Sequence, residues 1–170
     1  MSVFDAVRTV LAVRKYQDKP IPDEIVHEII EAGRLTGSSR NLQPWQFIVV
    51  QDRATLQEIG RLVTTGPYIA QAALAIVVLI EKASEFGVSD GSRAIQSMVL
   101  TAWDHGIGSN WAGFANRHDD LMAYLGVPDA YDILAILPFG YPVDAVGQGK
   151  KKRKSLSEVA HRDRFGQPYS

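Results

Sequence analysis

The chain contains no cysteine. This excludes disulfides, thiolate metal ligands, cysteine-bound iron–sulfur clusters and a cysteine nucleophile. An excess of charge of one sign is also lacking, because 18 Lys and Arg stand against 19 Asp and Glu, for a formal net charge of −1. The overall charge therefore offers no general attraction to nucleic acid or to an anionic membrane.

Long hydrophobic runs are missing as well. The longest, residues 72–80, is far shorter than the roughly 20 residues that span a bilayer. The first eight residues include Asp5 and Arg8 and have no long apolar stretch, which is not typical of a secretory signal. We expect a cytoplasmic protein that neither crosses a membrane nor binds nucleic acid.

The 170 residues are 46% hydrophobic and 22% charged, an ordinary composition for a globular domain with a substantial core. Helices are predicted after the caps Ser2 and Asp52, from Asp23 to a stop at Gly37, and over residues 89–105 and 119–125. Strands are predicted over residues 45–50, 74–80 and 133–137, the second of them buried on both faces. Since the helices outnumber the strands and do not alternate regularly with them, the pattern favours an α+β fold.

A polar loop lies between the second predicted helix and the first predicted strand. Pro44 and Trp45 hold its end, so it offers several donors and acceptors in a fixed geometry, as a polar heteroaromatic ring requires. Polar turns with a core anchor are common, however, and the residues alone leave both interpretations open. The polar residues are Ser38, Ser39, Arg40, Asn41 and Gln43.

The order and spacing of several segments resemble the FMN-dependent nitroreductase family. A glycine-rich element over residues 106–114 is similar to the family's Gly-Leu-Gly-x-x-Trp-x-Gly-Gly-Phe. Each segment alone is weak evidence, but together they extend over most of the chain. The other matching segments are residues 13–16, 18–22 and 38–45 near the start, and 139–142 and 152–159 near the end.

The resemblance implies a central, mostly antiparallel sheet flanked by helices, in an intertwined homodimer with FMN at the interface. In such a fold Arg14 contacts the pyrimidine end of the flavin, although it could instead be a surface residue paired with Asp18. The 38–43 loop lines the flavin of the other subunit. The backbone of residues 111–113 approaches the N5 and O4 edge. The cofactor-binding residues implied are Arg14, Ser38, Ser39, Arg40, Asn41, Gln43, Trp111, Ala112, Gly113, Lys151 and Arg153.

The basic run over residues 150–154 allows two interpretations. It could be a solvated tail or a weak nucleic-acid patch. The resemblance instead implies that Arg153, helped by Lys151, binds the FMN phosphate. We therefore expect one FMN-binding domain over residues 1–145 and a basic segment over 146–170 that completes the cofactor site and the dimer.

The sequence departs from the family in two places. Val10, Leu11 and Ala12 stand where many members carry Arg-Arg-Ser, so two polar anchors for the phosphate and ribityl chain are missing. Arg8 and the 150–154 run are candidates to compensate. The connection between residues 79 and 90 is also short, which implies an open pocket and a broad choice of substrate.

The implied reaction is ping-pong hydride transfer from NADH or NADPH, through FMN, to a nitroaromatic, quinone or activated alkene. No G-x-G-x-x-G fingerprint indicates a separate nicotinamide domain. No metal site or side-chain catalytic set is predicted, because His27, His105, His118 and His161 are scattered. Two alternatives stay open: another flavin chemistry on the same fold, such as a dehydrogenase or dehalogenase, or a degenerate flavin-binding or interaction protein.

Overall fold

The structure is a computed structural model that describes residues 1–113, 118–144 and 151–169. Six helices and four strands are formed within these ranges. The helices are α1 (Val3–Thr9), α2 (Asp23–Arg34), α3 (Arg53–Leu62), α4 (Gly87–Asp104), α5 (Asp119–Leu125) and α6 (Leu156–Val159). The strands are β1 (Trp45–Val50), β2 (Leu74–Glu81), β3 (Gly108–Ser109) and β4 (Tyr131–Gly140). Two short 3-10 turns cover Ser39–Asn41 and Pro67–Gln71.

The strands form one antiparallel sheet in the order β1-β2-β4-β3. The register pairs Trp45 with Ile80 and Val50 with Ala75. This confirms the predicted α+β class and the mostly antiparallel sheet. It also adds β3, a Gly-Ser pair within the glycine-rich element, for which no strand was predicted.

Strand β2 is the centre of the core. Its even-numbered side chains, from Leu74 to Ile80, pack with α2 and α4, whereas Ala75, Val77 and Leu79 pack on the opposite face with α3 and α5. Because helices cover both faces, all of β2 except Glu81 is buried. The prediction of a strand covered on both sides is confirmed.

Side-chain caps fix two helix starts as predicted. The Ser2 hydroxyl accepts the Asp5 amide at 3.1 Å, and the Asp52 carboxylate accepts the Thr55 amide at 2.8 Å. Helix α2 begins at Asp23 but ends at Arg34, so the predicted stop at Gly37 is wrong by three residues.

Helix α1 turns its large apolar side chains away from the core. Phe4 is 73% exposed and Val7 is also exposed, while Ala6 and Thr9 are buried. The helix ends at Thr9, before Val10 and Leu11. A hydrogen bond of 2.9 Å from the Trp103 indole to the Thr9 hydroxyl attaches α1 to α4.

Candidate functional site

A cavity of about 1080 Å³ opens between α1, α4, β3 and the C-terminal segment. Its volume reaches the upper end of ligand pockets, which measure roughly 300–1,000 Å³. Four stretches of chain contribute to its wall. The lining residues are Phe4, Val7, Arg8, Val10, Leu11, Ala12, Ile95, Gln96, Val99, Ser109, Asn110, Trp111, Lys151 and Arg153.

The charged groups of this lining are all cationic. Arg8 is partly neutralised, because its guanidinium lies 3.0 Å from the Asp5 carboxylate. Lys151 donates to the Val7 carbonyl at 2.6 Å and Arg153 to the Lys152 carbonyl at 3.0 Å, and neither forms an ion pair with any residue that the structure describes. Two neighbouring cations without a counter-ion favour an anionic ligand such as a phosphate.

The pKa of Lys151 is lower than the ordinary value for a lysine. Burial against the protein lowers it first, and the nearby Arg153 guanidinium lowers it further. Both effects penalise the ammonium form, and a bound phosphate would relieve the repulsion.

Two polar residues of the β3 region, Ser109 and Asn110, belong to the cavity lining. The Ser109 hydroxyl is buried and has no hydrogen-bond partner among the described residues. A buried hydroxyl without a partner is costly, so it marks a position where a ligand group can bind. The Asn110 amide donates to the Tyr68 hydroxyl and to the Trp111 carbonyl.

The segment that departs from the family pattern, Val10 to Ala12, forms part of this cavity wall. The Val13 amide donates to the Ser109 carbonyl at 2.8 Å, and Ala12 forms a parallel bridge with Ser109. This pairing holds Val10, Leu11 and Ala12 along the cavity. Apolar side chains therefore line the cavity at the positions where many family members carry polar anchors. Arg8, Lys151 and Arg153 supply positive charge to the same cavity.

Arg14 faces a smaller pocket beside the cavity, with Lys15 and Pro142. Its guanidinium carbon lies 6.0 Å from the centre of the Tyr68 ring, and no Arg14–Asp18 ion pair is formed in the part of the chain described. Tyr68 links Arg14 to Asn110, and thus the segment of residues 13–16 to the glycine-rich element. The structure gives Arg14 a ring partner and leaves its guanidinium accessible.

The 38–43 loop lies at the N-terminal end of α4, and none of its residues lines the large cavity. Its backbone is unusual, because Arg40, Asn41 and Gln43 have φ of 52°, 56° and 51°. The Ser38 hydroxyl accepts the Gln43 amide at 2.9 Å and closes the loop. Within one chain, the loop residues therefore lie apart from Trp111, Lys151 and Arg153, the predicted residues that line the cavity.

The glycine-rich element continues β3 into a bridge with β4. Trp111 lines the cavity, but the Ala112 amide donates to the Ile136 carbonyl at 3.0 Å and is thereby occupied. Gly113 has φ of 74°, and a Cβ there would meet Ile136 at 2.5 Å. Phe114 of the motif, Lys150 of the basic run and the predicted boundary at residue 145 lie outside the described residues.

Sequence analysis missed Gln96, Ser109 and Asn110 as cavity residues. Ser109 and Asn110 occupy the two unspecified positions of the glycine-rich motif, so the motif itself could have indicated them. Gln96 carries a weaker signal, because it is a polar side chain on the helix predicted over residues 89–105. Within residues 1–113, 118–144 and 151–169, no helix has the length and hydropathy of a membrane span.

The fold and cavity define an α+β protein with a basic, partly apolar pocket suited to an anionic ligand of substantial size. The Nitroreductase family model matches residues 8–90 and 67–141. The chain belongs to the nitroreductase family.

Relatives and solved structures agree with this assignment. A protein of Methanothermobacter thermautotrophicus named "putative NADH dehydrogenase/NAD(P)H nitroreductase" is 32% identical over 154 residues, which is 86% of this chain and 81% of the relative. A protein of the same name from Archaeoglobus fulgidus is 36% identical over 141 residues, 78% of this chain and 81% of the relative. An FMN-dependent nitroreductase from Clostridium difficile R20291 superposes with a TM-score of 0.83 at 28% identity, covering 95% of this chain and 99% of that chain.

Proposed function

We propose that this chain is an FMN-dependent oxidoreductase that uses NADH or NADPH to reduce an electron-poor small molecule. The observation that carries the proposal is the cavity, where Lys151 and Arg153 have no counter-ion and the Ser109 hydroxyl has no hydrogen-bond partner within residues 1–113, 118–144 and 151–169. Family membership supports the same assignment.

The residues present fit FMN. A phosphate, a hydroxylated chain and a flat ring system need a cationic end, hydrogen-bonding groups and apolar surface. Arg153 and Lys151 would hold the phosphate, and Ser109 would hydrogen-bond a polar group of the cofactor. Ile95 and Val99 add apolar wall. Arg8 would contribute less, because Asp5 competes for its guanidinium.

When bound, FMN would supply the two-electron redox chemistry between the nicotinamide donor and the acceptor. The protein's own groups orient and tune that chemistry. Arg14 would place a permanent positive charge beside the pyrimidine edge of the flavin, where it stabilises the negative charge that reduction builds up. Solvent can supply the proton, so no side-chain acid is required.

We further propose that the working form is a homodimer in which the 38–43 loop of one subunit completes the cavity of the other. Two features support this. The loop does not reach the cavity of its own chain. In addition, large apolar side chains are exposed on α1 and the C-terminal segment, including Phe4, Leu156, Val159 and Phe165, the last 92% exposed. A shared interface would bury such surface.

The acceptor is proposed to be a nitroaromatic, a quinone or an activated alkene, with little discrimination among them. Residues 82–86 alone join β2 to α4, so this connection carries no helix that could cover the site. Open access favours a broad acceptor range.

The test is a visible absorption spectrum of the purified protein, followed by anaerobic addition of NADH and then NADPH. Flavin bands near one FMN per chain that bleach with either nucleotide would support the proposal and identify the donor. Light scattering coupled to gel filtration should give twice the chain mass. A colourless protein that stays colourless after incubation with FMN would refute the flavoenzyme proposal and favour a degenerate site.

A further inference from the structure

Asp90 is a fully buried carboxylate in the first turn of α4, with 0% of its surface exposed. Aspartate is almost never buried to this extent unless it is paired, because desolvating a charge is costly. Asp90 does not line the cavity described above. Its burial therefore calls for a different structural reason.

The partners of Asp90 connect α4 to a distant part of the chain. Its Oδ2 atom accepts the Ser39 backbone amide at 2.9 Å. Its Oδ1 atom lies 3.3 Å from Arg93 Nη2, an ion pair without hydrogen-bond geometry, and Oδ1 has no hydrogen bond among the described residues. Since the Arg93 side chain is 57% exposed, solvent weakens that ion pair. The bond to Ser39 is thus the main directional contact of the carboxylate.

Ser39 begins the strained part of the 38–43 loop. Arg40, Asn41 and Gln43 adopt left-handed φ values, which are strained for residues other than glycine. Such a backbone persists only where surrounding contacts fix it. The isolated loop would therefore relax to other conformations.

The N-terminal end of α4 supplies these contacts from several directions. Arg93 donates to the Gly37 carbonyl at 3.4 Å, and the Arg40 guanidinium carbon lies 5.9 Å from the centre of the Phe86 ring. Between these two weaker contacts, the Asp90 carboxylate holds the backbone itself.

We propose that Asp90 is a positioning residue of the cofactor site, whose carboxylate fixes the 38–43 loop in the conformation that presents its polar groups to the flavin. The inference rests on the proposed function, because it assigns the loop to FMN. Asp90 does not contact the cofactor in this proposal; it acts through the Ser39 amide.

The test compares Asp90→Ala and Asp90→Asn with the matched control Asp52→Ala. Asp52 also accepts a backbone amide at the start of a helix, but α3 does not hold the loop. Three quantities are measured for each protein: hydrogen exchange of the loop amides without FMN, the Kd of FMN from quenching of flavin fluorescence, and the Tm.

We expect Asp90→Ala to speed exchange at Ser39 and to weaken FMN binding about tenfold, the effect of losing one charge-assisted hydrogen bond. Asp90→Asn should recover part of the affinity, because its amide oxygen still accepts the Ser39 amide. Asp52→Ala should lower the Tm and leave the Kd of FMN within about twofold. If Asp90→Ala fails to fold, the positioning role is tested by comparing loop exchange and the Kd of FMN between Asp90→Asn and the wild-type protein.

The outcomes separate the two proposals. A wild-type protein that does not bind FMN would refute the proposed function and this inference with it. Wild-type binding of FMN, with unchanged loop exchange and Kd in both Asp90 variants, would refute the positioning role alone. The positioning role would also be refuted if the Asp90 variants changed the Kd of FMN no more than Asp52→Ala does at the same loss of Tm.

Discussion

Removing the Arg153 guanidinium should weaken FMN much more than riboflavin. The two ligands differ only in the phosphate, so their ratio isolates the group that Arg153 is proposed to bind. Arg153 lines the cavity beside Lys151 and has no counter-ion among the described residues. Its loss should therefore remove a contact to the phosphate without breaking an ion pair to any of those residues.

The expected size follows from a charge-assisted hydrogen bond of about 1.5–3 kcal/mol. Since each 1.4 kcal/mol is a factor of ten in Kd, Arg153→Ala should weaken FMN binding by roughly ten- to hundredfold. Riboflavin binding should change by less than about twofold, because no phosphate is present. The exposed position of Arg153 on the cavity rim favours the lower end of the range for FMN.

The assay is a fluorescence titration of the apoprotein with FMN and with riboflavin. Lys154→Ala is the matched control, because Lys154 belongs to the same basic run but does not line the cavity. Equal losses of FMN affinity in Arg153→Ala and Lys154→Ala would show that only the overall charge of the segment matters. A parallel loss for riboflavin would show that Arg153 does not act on the phosphate.

Three further predictions follow from individual residues. Ser109→Ala should leave the Tm of the apoprotein unchanged or raised, since it removes a buried hydroxyl that has no partner in the described part of the chain. The same substitution should weaken FMN binding by about two- to tenfold in the same titration. Burial and then Arg153 lower the pKa of Lys151, so its positive charge is present at low pH and is lost sooner than usual as pH rises. FMN affinity should therefore fall at alkaline pH. Lys151→Arg should abolish that fall, because a guanidinium keeps its charge. A pH profile that Lys151→Arg leaves unchanged would exclude Lys151 as its source. Gly108→Ala should lower the free energy of unfolding in urea by about 1–3 kcal/mol, because its Cβ would overlap the Val13 side chain, whereas Gly37→Ala, with open space around it, should be neutral.

Local sequence signals predicted the elements that carry strong periodicity or a cap. The apolar run of β2 and the hydrophobic strand β1 were located correctly, because each buries a continuous set of side chains. Ser2 and Asp52 marked helix starts, since a capping carboxylate or hydroxyl acts within three residues of itself. Strand β3 was missed, because a Gly-Ser pair has no hydrophobic pattern and becomes a strand only through pairing with β4.

The same distinction between local signals and tertiary contacts applies to the candidate site. The motifs predicted which residues bear polar groups, and the cavity then brought Trp111, Lys151 and Arg153 together while the 38–43 loop lay elsewhere. Asp90 could not be recognised, because its burial depends on a partner 51 residues away.

The sequence by itself thus determined the class of fold, most helix and strand positions, and the family through its ordered motifs. Only the tertiary structure decided which side chains share a cavity, that the Ser109 hydroxyl lacks a partner among the residues described, and that Phe4 and Val7 turn away from the core. The physical reason is that burial and hydrogen-bond satisfaction depend on contacts between distant segments, whereas caps and hydrophobic spacing act within a few residues.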